Sequence, residues 1–279
     1  MSVAVETVAA ADRWSGLIGG VRVLFGEGRL GELGEAVRSL GGERTLLVTD
    51  PGVRRAGHAA AAEAALRDAG LAVTVFAAVN ENPTSDVVAA AAAFAAAVAG
   101  GVDLIVAVGG GSALDTAKGI NFLLTNGGRM EDYQGHGRAG RPMLPSIGVP
   151  TTAGTGSEAQ SYALISDFVS HCKMACGDEK ARFRTVILDP ALTATVPARV
   201  VATAGLDAVS HAVESYVTTR GNPLSRLLAG EAWRLLAAHL EMVLAVVRGA
   251  GAAPTGSTGD RADAGDSVAA VRRARGAVA

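Results

Sequence analysis

The sequence predicts an α/β protein: a parallel sheet with helices on both faces, followed by the start of an all-helical domain. Three observations carry this. Short apolar runs alternate with alanine-rich stretches, a glycine-rich turn follows the most apolar run, and from about Pro197 helical spacing stands alone.

In chain order, Leu46-Leu47-Val48-Thr49-Asp50 reads as a strand, His58 to Ala69 as a helix, Val73 to Phe76 as a strand and Asp86 to Ala99 as a helix. The run Leu104-Ile105-Val106-Ala107-Val108 is a buried strand that empties into GGGSALDTAK, Gly109 to Lys118, a glycine turn opening a helix. A second apolar stretch, Ile147-Gly148-Val149, leads into PTTAGTGSE, Pro150 to Glu158. Beyond Pro197, which suits the first turn of a helix, Leu206, Val209, Val213 and Tyr216 recur at helical spacing, so GLDAVSHAVESYV is an amphipathic or buried helix. Another helix is expected over Leu224 to Val247. The domain division that follows is 1–194 for the α/β part, 195–248 for an incomplete helical part and 249–279 for a low-complexity tail expected to be disordered.

Composition narrows the function classes. A chain of 279 residues with 49% hydrophobic residues has ample material for a packed core. A net charge of −2 and a pI near 6.2 give no electrostatic reason to expect nucleic acid or an acidic membrane surface as partner. Polar residues or small side chains break up the alanine runs, so no membrane span is expected. The N-terminus lacks the basic start and apolar block of an export signal, and a cytoplasmic address is the expectation. Cys172 and Cys176 are too few for a disulfide framework and are not spaced like a zinc knuckle, so they are expected to be idle thiols.

The two glycine-bearing turns carry the chemistry. Glycines let backbone N–H groups approach an anion, and the first helical turn adds unpaired donors and the positive end of its dipole. One such turn also serves as a mere tight connection; two suggest the two phosphates of a dinucleotide. Asp50, at a strand end, can accept hydrogen bonds from ribose hydroxyls and repel a 2′-phosphate, favouring NAD over NADP, but Asp50-Pro51-Gly52 is equally turn or helix-cap chemistry. Asp207 and His211, four apart on one helix, share a face: they can grip a divalent metal or simply make a local hydrogen bond. Glu214 near that face is a solvated carboxylate, and His58, His136, His171 and His239 are read as surface or loop residues, His239 being the one that a neighbouring helix carries.

GGGSALDTAK, PTTAGTGSE, TVILDPALT and GLDAVSHAVESY, in this order and spacing, resemble the iron-containing (group III) alcohol dehydrogenase family over roughly residues 17 to 248. The resemblance implies the dehydroquinate synthase-like architecture of an α/β dinucleotide-binding domain and an all-helical domain with a divalent metal in the cleft. It implies an oxidoreductase that interconverts an alcohol and an aldehyde or ketone with NAD(P), and homodimeric assembly in full-length relatives. It assigns cofactor contacts to Asp50, Asn82, Gly110, Gly111, Ser112, Asp115, Thr151, Thr152, Thr155, Lys173 and Asp189, and metal ligation to Asp207 and His211. Of these, Asp115 fits turn organisation or the substrate side better than phosphate, since two anions repel, and Lys173 reads also as a solvated surface lysine. Gln160 stands where the family more often has a hydroxyl residue, and DFVSHC before Lys173 is less turn-like than expected. Iron(II), or zinc, would act as a Lewis acid toward the alcohol oxygen and favour hydride release to the nicotinamide.

The last 31 residues use only Gly, Ala, Pro, Thr, Ser, Asp, Arg and Val, too little to build a core. They also contain no histidine, where relatives supply two further metal-binding ones. The expectation is a truncated or frameshifted dehydrogenase, tested by reading the other two frames past Arg248. Two readings compete with the dehydrogenase: a nucleotide-binding remnant without catalysis, and a zinc enzyme of the glycerol dehydrogenase or dehydroquinate synthase type.

Overall fold

A computed structural model describes residues 13–251 and finds the α/β alternation followed by helices alone; the proposed tail lies largely outside the described residues. Ten strands form two sheets: β1 (Trp14–Ile18), β2 (Val21–Phe25), β3 (Arg44–Val48), β4 (Ala72–Phe76), β5 (Leu104–Gly109), β6 (Gly135–His136), β7 (Ser146–Pro150), β8 (Tyr162–Ser166), β9 (Lys173–Gly177) and β10 (Thr185–Leu188). Among the described residues seven α-helices accompany them: α1 (Leu33–Ser39), α2 (Pro51–Arg55), α3 (His58–Asp68), α4 (Ser85–Ala96), α5 (Gly111–Asn126), α6 (Ala198–Val217) and α7 (Pro223–Gly251).

The larger sheet has the order β1-β2-β10-β7-β5-β3-β4, parallel throughout except for β1, which pairs antiparallel with β2. Every residue of β5 and β7 is buried, which is why both read as continuous apolar runs rather than alternating ones. Their register sets Val106 beside Leu47 on one side and Ile147 on the other. Helix α5 lays Ala113, Leu114, Ala117 and Ile120 on this sheet, against Leu46, Val48, Ile105 and Ala107. Helix α4 is nearly all alanine, yet Val88, Ala91, Ala92 and Ala95 recur at helical spacing and form its buried face. It stops at Ala96, short of the expected Ala99, because the glycine turn at Gly100 and Gly101 takes the left-handed conformation (φ 80° and 74°).

The smaller sheet runs β6-β9-β8 and packs Ala163, Ile165, Met174 and Cys176 against Val88, Phe122 and Met130. Here the structure corrects an expectation. DFVSHC is the β8–β9 hairpin turn: the Asp167 carboxylate accepts from the Val169 and Ser170 N–H groups, and His171 takes φ 58°. Both cysteines are free, and burial pushes the Cys176 thiol up to about 11, consistent with an inert group.

The chain forms two compact units. One holds Trp14–Thr151 and Gly156–Asp189; the other holds, among the described residues, Thr152–Thr155 and everything from Pro190. Within the second, α6 and α7 pack side by side at close range because position 205 is glycine: a Cβ there would meet Leu240 Cδ1 at 2.5 Å. The apolar stripe of α6 lies open. Leu206, Val213 and Tyr216 are 65%, 45% and 56% exposed, while the small residues Ala204, Gly205 and Ala212 are buried. α7 likewise exposes Leu227, Leu228 and Trp233. No helix among the described residues is long and apolar enough to cross a membrane.

An apolar stripe of this extent favours association. The chain is therefore expected to sediment as species larger than a monomer, and the double variant Leu227→Gln, Trp233→Gln to shift the distribution toward monomer. Because exposed positions contribute little to folding, its melting point should stay within about 2 °C of the parent.

Candidate functional site

Four candidate residues lie within two residues of the carboxyl ends of four adjacent strands. Asp50 comes after β3, Gly110 after β5, Thr151 after β7 and Asp189 after β10. After β3 the chain goes out to the edge strand β4 and returns to β5 on the other flank of β3, so the order reverses between β3 and β5. That reversal opens the crevice in which doubly wound sheets bind ligands. Asp50 and Gly109 meet there: a Cβ on Gly109 would lie 3.2 Å from Asp50 Oδ2 and 2.7 Å from the Ala113 Cβ, so only glycine fits.

Asp50 caps α2, its Oδ1 accepting from the Gly52 and Val53 N–H groups at 2.7 and 3.0 Å. The two roles weighed from the sequence are thus compatible, since both cap bonds use one oxygen and the other faces the Gly109 turn. Helix α5 starts at Gly111 with Gly110 as an extended N-cap that no side chain caps. Its backbone bonds begin with Ala113 and Leu114, which both donate to Gly110 O, so the preceding N–H groups form an anion-facing end. The Asn82 N–H donates to Ser112 Oγ at 3.2 Å from a left-handed backbone (φ 52°), which brings these two candidates together.

The second turn is tied to the first. The Thr151 N–H donates to Gly109 O at 2.9 Å. Farther on, Asp115 Oδ2 accepts from the Leu164 N–H at 3.2 Å, and Lys118 Nζ donates to the carbonyls of Ser157, Gln160 and Tyr162 at 2.6, 2.9 and 2.8 Å. Asp115 and Lys118 are both buried, 3.6 Å apart. Burial outweighs their mutual attraction, pushing the Asp115 carboxyl up and the Lys118 ammonium down to about 8. Asp115 is therefore buried and holds the backbone at Leu164. The role of Lys118 was not read from the sequence. Its signal was a lone cation between Ala117 and Gly119 on an otherwise apolar helix, three residues from a carboxylate.

The remaining candidates are spread more widely. Thr152 carries a buried Oγ1 with no hydrogen-bond partner, the kind of orphan that a ligand satisfies. Thr155 lies in the same short segment. Lys173 is exposed at the start of β9, opposite Ser166. Asp189 is buried, and its Oδ2 accepts from the Leu30 N–H at 3.1 Å, which joins the end of β10 to the turn after β2.

On α6, Asp207 Oδ1 and His211 Nε2 face each other at 3.6 Å, too far for a hydrogen bond. His211 Nδ1 lies 3.2 Å from Gly154 O, which orients the ring with Nε2 toward Asp207. One carboxylate oxygen and one ring nitrogen thus face one gap, residue types that would suit two donors of a divalent ion. Among the described residues no group of three or more His, Cys, Asp or Glu side chains is placed to hold a metal, so His239 adds no third donor. Catalytic sites ordinarily have at least three protein ligands, and the described residues offer two such side chains here.

Comparison with known proteins bears on both halves. The sequence model of the iron-containing alcohol dehydrogenase family matches residues 20–190. Alcohol dehydrogenase 4 of Schizosaccharomyces pombe is 37% identical over 218 residues, covering 78% of this chain and 51% of the yeast protein. The NAD-dependent methanol dehydrogenase of Bacillus methanolicus is 35% identical over 222 residues, covering 80% and 58% respectively. A crystal structure of 1,3-propanediol oxidoreductase superposes with a TM-score of 0.77 at 31% identity, covering 96% of this chain and 65% of that one. The chain spans about half the length of the curated relatives it matches.

The Gly154 backbone sets His211 and has no room for a side chain. It takes φ 146°, and a Cβ there would land on the Ala204 carbonyl oxygen. Gly154→Ala is expected to destabilise the helical unit by about 2 kcal/mol or more, read as a lower urea midpoint.

Proposed function

Because the chain belongs to the iron-containing alcohol dehydrogenase family, we propose that it interconverts an alcohol and an aldehyde or ketone by hydride transfer with NAD. The observation that carries this reading is the convergence of Asp50, Gly109–Gly111 and Thr151 on one end of the parallel sheet. In it the α5 N-terminus, with Gly110, Gly111 and Ser112, receives a phosphate. The Asp50 carboxylate accepts from the ribose hydroxyls and disfavours a 2′-phosphate, so that NAD is preferred to NADP. Asn82, Asp115, Thr151, Thr152, Thr155, Lys173 and Asp189 complete the coenzyme's surroundings, Asp115 and Asp189 by holding backbone. Asp207 and His211 are two of the donors to iron(II), which supplies Lewis acidity toward the alcohol oxygen when bound. The likeness to an iron-containing family supports iron; nothing in it supports zinc. We further read the α/β part as residues 1–194 and the helical part as 195–248, the protein as cytoplasmic, and its substrates as small molecules.

Two measurements test this. Asp50→Ser keeps a capping oxygen but removes the carboxylate, so folding stability should change by less than about 1 kcal/mol. NADH should nevertheless bind more weakly, and the preference for NADH over NADPH should narrow in fluorescence titrations. An unchanged preference would assign Asp50 to capping alone. For the metal, the purified chain should take up iron(II) in equilibrium dialysis, and Asp207→Ala and His211→Ala should each abolish uptake. A chain that binds NADH but neither takes up iron nor forms NADH from any alcohol would be a nucleotide-binding protein without the redox step.

A further inference from the structure

We propose that Lys118 is a positioning residue of the coenzyme site: its ammonium fixes the outgoing arm of the second glycine-bearing turn, residues 156–162, to the helix that opens the first. The proposal rests on the NAD reading above.

The geometry is that of a saturated cation. An ammonium has three N–H donors, and here each has a backbone carbonyl, all three from one short segment: Ser157, Gln160 and Tyr162. The Phe183 ring lies 5.3 Å from Nζ and closes another side of the site. The side chain is fully buried. A methionine would fill a similar volume without the several kcal/mol that desolvating a charge costs. What methionine would not do is turn three carbonyls of a loop toward one point.

Lys118 also completes a frame. The incoming arm is held by the Thr151 N–H on Gly109 O, and β8 is held by the Leu164 N–H on Asp115 Oδ2. Asp115 and Lys118 are one turn apart on α5, whose N-terminus is the first phosphate turn. Residues 156–162 therefore cannot shift relative to that N-terminus without breaking the bonds of Lys118.

The charged groups facing the ammonium are Asp115 from α5, Glu158 from the clamped segment and Arg182 just before β10. Burial lowers its ionisation to about 8, with Asp115 and Glu158 opposing the shift and Arg182 adding to it. Above that pH a neutral amine has two donors for three carbonyls, so the clamp slackens. The sign for folding is opposite: with a folded pKa below the unfolded one, this group's contribution to stability rises between about 8 and the ordinary lysine value of 10.5. A loss of coenzyme affinity across that window would thus not reflect unfolding through Lys118.

The experiment is NADH fluorescence titration from about pH 7 to about pH 10, with hydrogen exchange of the free protein read at residues 156–162. Wild type should bind NADH more weakly as pH rises through about 8. Lys118→Met should bind about tenfold more weakly at neutral pH, show no such inflection, and exchange faster at 156–162 but not in β3. Asp115→Asn, which takes away the opposing carboxylate, should move the inflection to lower pH. Parallel pH profiles for wild type and Lys118→Met, or unchanged exchange at 156–162, would overturn the proposal. If Lys118→Met does not fold, an unmoved inflection in Asp115→Asn overturns it instead. Wild type that binds no NADH at any pH defeats the coenzyme reading and this one together, whereas NADH binding with parallel profiles removes only the role of Lys118.

Discussion

A single buried ammonium ties helix α5 to the segment that follows β7. Lys118 sits among apolar helix neighbours, yet it cannot be exchanged for an apolar residue at no cost, because three carbonyls point at it. Each buried carbonyl left unsatisfied costs about 1–3 kcal/mol, comparable in sum with the desolvation penalty the charge itself carries. The two penalties hold each other in place. The cation is tolerated because the loop solvates it, and the loop keeps its shape because the cation is there. Asp115 fits the same logic: it lies 3.6 Å from the ammonium, and its Oδ2 holds the Leu164 N–H.

The rest of the crevice is built by position along the sheet. Parallel strands end in step, so the residues after β3, β5, β7 and β10 reach the same edge without any side chain having to bring them there. What residue chemistry adds is clearance and direction. Gly109 is the clearest case, since any Cβ would collide with Ala113 and crowd the Asp50 carboxylate. Asp50 in turn is oriented by its own helix, the cap bonds fixing one oxygen and thereby aiming the other. Capping therefore leaves the second carboxylate oxygen free to face the crevice.

Much of this was legible in the sequence because it depends on local pattern. The central strands are runs of apolar residues bounded by glycine, and the helix starts follow directly from those glycines, so β3, β4, β5 and α3 to α5 lie within a few residues of expectation. The hairpin of β1 and β2, the small sheet and the clamp of Lys118 were not legible, because each rests on partners far along the chain. Nothing near Lys118 indicates that Ser157, Gln160 and Tyr162 will surround it. The apolar stripe of α6 was legible as a stripe. Helical periodicity identifies an apolar face but not whether anything covers it, and Leu206 and Tyr216 lie open while small residues make the contact with α7.

Asp207 and His211 illustrate how far a pair of side chains can be read on its own. Spacing alone favoured a local hydrogen bond over a metal half-site. In the structure Asp207 Oδ1 and His211 Nε2 stand 3.6 Å apart, beyond hydrogen-bond range, and the Gly154 carbonyl lies 3.2 Å from the Nδ1 side of the ring. The pair thus presents one carboxylate oxygen and one ring nitrogen across a gap. The Gly154 carbonyl orients the His211 ring while the Ala204 carbonyl leaves position 154 no room for a side chain, so the backbone of a glycine sets how two side chains a turn apart are presented.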